Sequence, residues 1–153
     1  MRHFSLLLSS LLFATVVHAA ETADVPDPYD WYLESYGPLW LNSPENNVQK
    51  LMGYYANKVS VHENDGSISI ASQKDLIETP MAGWFEEGWL TAELTELKMD
   101  RINTTTSSYK AKWLDRYKSG ETEVSCGWYL ADLIDGNWAF TAYADIDCEA
   151  HGL

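Results

Sequence analysis

The sequence predicts an α+β domain in which N-terminal helices pack against one side of a curved antiparallel sheet, leaving a cone-shaped hollow. Three observations carry this. Helix start and stop signals precede the first strand, long alternating runs fill everything from Leu90 onward, and the alternation slips phase once, as it does where a sheet bends.

A leader is expected ahead of that domain. Arg2 and His3 give a positive start, residues 6–17 are apolar apart from two Ser and a Thr, and Val17-His18-Ala19 offers the residue types a signal peptidase reads. The apolar run is too short to span a bilayer, which takes about 20 residues. The expected organisation is a signal peptide over residues 1–19, an extended lead-in over 20–28 and a single domain over 29–153. The expected location is periplasmic or secreted, with no membrane attachment after cleavage.

Asp27-Pro28 reads as an N-cap followed by proline in the first helical turn. The helix carries Trp31, Tyr32 and Ser35 to about Tyr36, where Gly37-Pro38 stops or kinks it. Ser43-Pro44-Glu45 repeats the start signal, and Val48, Leu51, Met52 and Tyr55 fall on one face of a second helix. Residues 59–63 alternate as a strand into the Asn64-Asp65-Gly66 turn, and Ile68 and Ile70 continue beyond it. Ser72 with Asp75 caps a third helix bearing Leu76, Ile77, Met81, Trp84 and Phe85, bent at Pro80 and ended at Gly88. Of the strands that follow, the first changes phase near Thr95-Glu96, a β-bulge signal. The second sets Tyr109, Ala111, Trp113 and Tyr117 opposite Lys110, Lys112, Arg116 and Lys118, a basic stripe read as a solvated face. The last two turn at Asp135-Gly136-Asn137.

Composition narrows the function classes. Without Arg2, nine basic residues stand against 23 acidic ones, a net charge of about −14 that repels phosphate backbones and anionic lipid. Nucleic acid is not an expected partner. All seven Trp lie beyond the leader, which argues for a folded core rather than an acidic disordered chain. Cys126 and Cys148 suit a disulfide in an oxidising compartment, the alternative being two buried thiols. A hairpin pairing Cys126 with Ile146 makes the two Cys diagonal neighbours on one face, slightly beyond ordinary disulfide spacing unless a bulge closes the gap. His62 and His151 have no repeating spacing to other ligands, so no metal is expected. Asn103-Thr104-Thr105 is a glycosylation sequon in a turn.

The segment LMGYYANKVSVHE at residues 51–63, the capped helix from Ser72 and the closing hairpin GWYLADLIDGNWAF from Gly127 resemble the NTF2-like (SnoaL-like) superfamily, nearest its uncharacterised branches. Together with the order of elements the resemblance spans the expected mature chain. It implies the cone-shaped, cystatin-like roll and no particular reaction. It also implies a carboxylate base at the end of the strand after the second helix, which falls on Glu63, where the family usually has Asp. The other reading of Glu63 is a polar residue entering a turn. Tyr129, Asp132, Tyr143 and Asp145 are the residue types able to hold a developing oxyanion, Tyr129 being the candidate.

Tyr55, Trp84, Trp89, Trp113, Trp128 and Tyr143 come from different elements and either line one concavity or pack as ordinary core. The function expected is an exported domain that binds a small, largely apolar molecule in its cone without a cofactor. The alternatives are an acid–base isomerase, dehydratase or hydrolase using Glu63, and a non-catalytic module that forms a homodimer through its sheet.

Overall fold

The computed structural model describes residues 25–153; the expected leader and the start of the lead-in lie outside the described residues. The Asp27 side chain accepts the backbone N–H of Tyr29 at 2.9 Å and Pro28 opens α1 (Pro28–Asp30), as the cap signal requires. The chain does not stop at Gly37-Pro38. It passes through a π-helical stretch, Trp31–Tyr36, into α2 (Pro38–Leu41), and the Gly37 N–H bonds back five residues to the Tyr32 carbonyl at 2.9 Å. Pro38 has no N–H and its ring crowds the carbonyl four residues earlier, so a widened turn lets the helix continue past it. Trp31, Tyr32, Tyr36 and Trp40 all become buried as a result.

The second helix differs from expectation. Ser43 takes a left-handed conformation (φ 52°) instead of capping it, and a short 3-10 turn, Pro44–Asn46, follows. Buried Asn47 donates to the carbonyls of Leu39 (3.2 Å) and Asn42 (2.8 Å), closing α2. α3 (Val48–Met52) has five residues, and Tyr55, expected on its apolar face, instead begins β1 (Tyr55–His62). The Tyr54 carbonyl accepts the Phe140 N–H at 2.8 Å, so pairing with the end of the chain decides a stretch whose spacing also fitted a helix.

β2 (Ile68–Ala71) returns antiparallel to β1. Ser72 and Asp75 then form the expected cap, with hydrogen bonds of 2.6 to 3.2 Å in both directions. A π-helical stretch, Lys74–Glu78, leads into α4 (Thr79–Glu86), where Pro80 occupies the first turn. Gly88, at φ 93°, makes the exit a side chain would resist.

β3 (Trp89–Arg101), β4 (Thr106–Tyr117), β5 (Thr122–Ile134) and β6 (Asn137–Asp145) complete a curved sheet of order β2-β1-β6-β5-β4-β3. One pair departs from the antiparallel expectation: β1 runs parallel to β6. The phase slip in β3 is a register shift between Leu94 and Glu96, and further shifts lie between Trp89 and Thr91, Tyr55 and Ser60, and Leu130 and Ala131.

The extended lead-in is tied to the sheet. The Trp138 indole donates to the Pro26 carbonyl at 2.9 Å, the Tyr109 hydroxyl to the Pro28 carbonyl at 3.0 Å, and Arg101 pairs with Asp27 at 2.9 Å. At the other end, Cys126 and Cys148 form a disulfide with Cα atoms 5.5 Å apart. β6 ends at Asp145, the Ile146 N–H bonds the Cys126 carbonyl at 3.0 Å, and the chain then curls, so Cys148 comes closer than a straight diagonal neighbour would.

Candidate functional site

The concave side of the sheet and the helices enclose a cavity of about 260 Å³. Its wall draws on every layer of the fold: Trp40 from α2, Tyr55 from β1, Asp75, Leu76 and Ile77 from the second π-helical stretch, and Pro80 and Trp84 from α4. The strands add Trp89, Ala92, Trp113, Asp115, Ser125, Cys126, Gly127, Tyr129, Tyr143 and Asp145. The narrow end of the cone is filled. Tyr32, Tyr36 and Phe140 are wholly buried there, with the Tyr36 ring 4.8 Å from Phe140 and 5.0 Å from Tyr32. The aromatic residues thus serve both ends: some pack as core and others face open space.

Tyr129 meets the cavity because β5 presents its odd-numbered residues inward: Ser125, Gly127, Tyr129 and Ala131. A Cβ at Gly127 would lie 2.8 Å from the Tyr129 hydroxyl, so the missing side chain is where that phenol rests. Tyr36 and Tyr55 share a hydrogen bond of 2.7 Å between their hydroxyls. Burial pushes the phenols of Tyr32, Tyr36, Tyr55 and Tyr143 well above the usual range and that of Tyr129 up to about 12. They therefore remain protonated donors at neutral pH.

The carboxylates are arranged differently. Asp115 accepts the Trp89 indole N–H at 2.8 Å and the Ser125 hydroxyl at 2.7 Å, and Asp145 accepts the Tyr143 hydroxyl in a short hydrogen bond. Asp75 is held by its cap with Ser72, whose hydroxyl and backbone N–H lower its pKa. The buried indole nitrogens of Trp40 and Trp113, both residues of this wall, have no hydrogen-bond partner among the described residues. Each unmade bond costs about 1–3 kcal/mol, an expense of the kind found where a surface serves something other than stability.

Of the residues singled out from the sequence, Tyr55, Trp84, Trp89, Trp113, Tyr129 and Tyr143 line this cavity. Trp128 does not. Its neighbour Tyr129 faces inward, so Trp128 faces out, with its ring 5.8 Å from His62. Glu63 is also outside. It lies one residue beyond β1, exposed at the hairpin tip, where its carboxylate accepts the Ser69 hydroxyl at 3.2 Å. Val59 and Val61 share its phase, but the strand ends before Glu63 reaches the cone, which places its carboxylate in water rather than in an apolar cavity. Asp132 points away as well, held by the Thr106 and Thr141 hydroxyls at 2.7 and 2.6 Å. Trp40 was hidden by reading Gly37-Pro38 as a stop. Asp115 shares the phase of Tyr109 and Trp113, a parity that marks it as inward despite its charge.

Among the described residues no group of three or more His, Cys, Asp or Glu is positioned to hold a metal ion, and no helix is long and apolar enough to cross a membrane.

No family model matches the sequence, and no curated protein is matched by it. Solved structures do match in shape. An NTF2-like protein of unknown function from Shewanella oneidensis superposes with a TM-score of 0.60 at 13% identity, covering 78% of this chain and 96% of that one. A candidate scytalone dehydratase from Novosphingobium aromaticivorans gives 0.55 at 10% identity over 76% and 79%. A candidate polyketide cyclase from Xanthomonas campestris gives 0.51 at 13% identity over 78% and 90%. The fold of this chain is the NTF2-like, cystatin-like α+β cone.

Proposed function

We propose that the protein is an exported binding domain that holds a small, largely apolar molecule in the cavity of its cone. The observation that carries this reading is the wall itself: four Trp and three Tyr surround about 260 Å³ that the packed narrow end leaves open. That volume lies just below the range of drug-sized pockets, so a ligand of one or two rings suits it. The disulfide supports export, because such bonds persist in oxidising compartments.

The test is calorimetry and thermal unfolding of the purified mature chain with a panel of neutral single-ring compounds such as phenol, indole and benzaldehyde. Mass spectrometry of protein prepared from its native host, searched for a retained ligand, accompanies it. A raised melting temperature with saturable heat is expected from at least one compound. Silence across this panel and across charged compounds of similar size, with an empty native preparation, overturns the proposal.

A second reading is acid–base chemistry in the same cavity, favoured by the Tyr143–Asp145 pair facing the protonated Tyr129. It replaces Glu63 with a carboxylate that reaches the cone. Substrate turnover abolished by Asp145→Asn but unaffected by Glu63→Gln is its signature. The outer face of the sheet, where Ile68 and Ile70 are 61% and 63% exposed, is the place a second copy would dock. Sedimentation of wild type against Ile70→Lys tests that.

A further inference from the structure

The cavity has acidic groups and no basic one. Its wall holds Asp75, Asp115 and Asp145 and no Lys, Arg or His. None of the three takes part in an ion pair among the described residues. The groups that bond Asp115 and Asp145 inside the chain are an indole, an aliphatic hydroxyl and a phenol, all neutral donors. Asp115 is half-buried against the aromatic wall with no counter-charge beside it, and Asp75 and Asp145 are exposed where they border the cavity, so none of the three is neutralised from within the wall.

The aromatic wall carries the same sign. Trp40, Trp84, Trp89 and Trp113 form a chain of rings with centroids 5.8 to 6.5 Å apart and planes inclined by 47° to 79°, so they enclose space instead of stacking flat. The face of each ring is the negative part of its quadrupole. Two hydrogen bonds strengthen this: the Trp89 indole and the Tyr143 phenol each donate to a carboxylate, which pushes electron density into both rings. An anionic ligand would meet three carboxylates and the ring faces, opposed by neutral donors alone, the indole N–H groups of Trp40 and Trp113 and the phenols. A neutral one would leave the carboxylates as they are.

From this we infer that the ligand of the cavity is an organic cation, an ammonium or quaternary ammonium group carried on a small apolar body. The inference rests on the binding reading above and adds the charge. Trp89 and its neighbours supply cation–π contact, and Asp115 and Asp145 supply the counter-charge. The strongly acidic surface, net −13 over the whole chain, draws cations toward the opening.

The experiment compares shape-matched pairs: choline with 3,3-dimethylbutan-1-ol, and benzyltrimethylammonium with neopentylbenzene. Each pair differs by nitrogen for carbon and therefore by one charge. Binding to the mature, disulfide-bonded protein is read by calorimetry and tryptophan fluorescence. At least one cation should bind about tenfold or more tightly than its isostere. Its affinity should fall with added salt and in Asp115→Asn and Asp145→Asn, both checked for an unchanged thermal transition, while the isostere is insensitive to either. An isostere that binds as tightly as the cation in both pairs overturns the charge inference and leaves cavity binding standing. If these four probes and the neutral panel are all silent, the cavity reading falls and the cation inference falls with it.

Discussion

The phenol of Tyr129 lies over Gly127, two residues earlier on the same strand and the same face, with its hydroxyl 2.8 Å from where a Cβ would be. Such closeness is available only because residue 127 has no side chain. The Gly127→Ala variant should lose about 1–3 kcal/mol of stability, the usual cost of overpacking, as the ring is pushed toward the cavity. Denaturant unfolding measures the loss. Adding Tyr129→Phe should recover only part of it, because ring carbons remain 2.9 and 3.0 Å from the new methyl.

The buried phenols give the protein an alkaline limit. Tyr129 has its pKa raised from the usual 10.0 to about 12, and Tyr32, Tyr36 and Tyr55 are also raised by burial. The folded chain therefore holds these protons more tightly than the unfolded one. Their contribution is fully present below pH 10 and is lost as pH rises through the folded values, at about 1.4 kcal/mol per unit for each such group. Unfolding and tyrosinate absorbance, followed together, should show one cooperative step beginning above pH 10. Gradual ionisation of the whole set without unfolding would contradict the burial of this cluster.

Reduction should weaken the fold without abolishing it. The Cys126–Cys148 bridge spans a sequence separation of 22, which corresponds to about 3 kcal/mol on a loop-entropy scale. A Cys126→Ser/Cys148→Ser variant, and the wild type with reductant, should share the same lowered denaturant midpoint. The single variants should resemble the double one.

Trp84 and Glu63 separate the cavity from the hairpin tip. Trp84 is 40% exposed on the cavity wall, with its ring 5.8 Å from Trp89, so Trp84→Ala should weaken ligand binding about tenfold for a modest stability cost. Glu63→Gln should change neither, since its hydroxyl partner Ser69 is also exposed. A strong binding defect in Glu63→Gln would return that residue to the site.

The sequence was most informative where local chemistry decides structure. Asp27-Pro28, the Ser72–Asp75 cap and the bulge between Leu94 and Glu96 all follow from a few neighbouring residues. It was least informative where a distant partner decides. Tyr55 fits a helix face by spacing and becomes strand because Phe140 pairs beside it, 85 positions later. Trp128 and Tyr129 look alike in composition, and only strand parity sends one outward. Glu63 depended on how far β1 reaches, which a tip in solvent determines. Asp115 has the parity of Trp113, and its charge is accommodated on that face because Trp89 and Ser125 donate to it, partners that lie on other parts of the chain.

The parallel pairing of β1 with β6 orders events in time. The first long strand finds its second neighbour only when the last strand exists, and Pro26 waits likewise for Trp138. Chain growth from the N-terminus leaves these contacts until β6 has been made. Joining the first strand to the last also places folding among the slower topologies, on the order of milliseconds to seconds. For a polypeptide proposed to be exported, that delay leaves β1 without its second neighbour until β6 has formed.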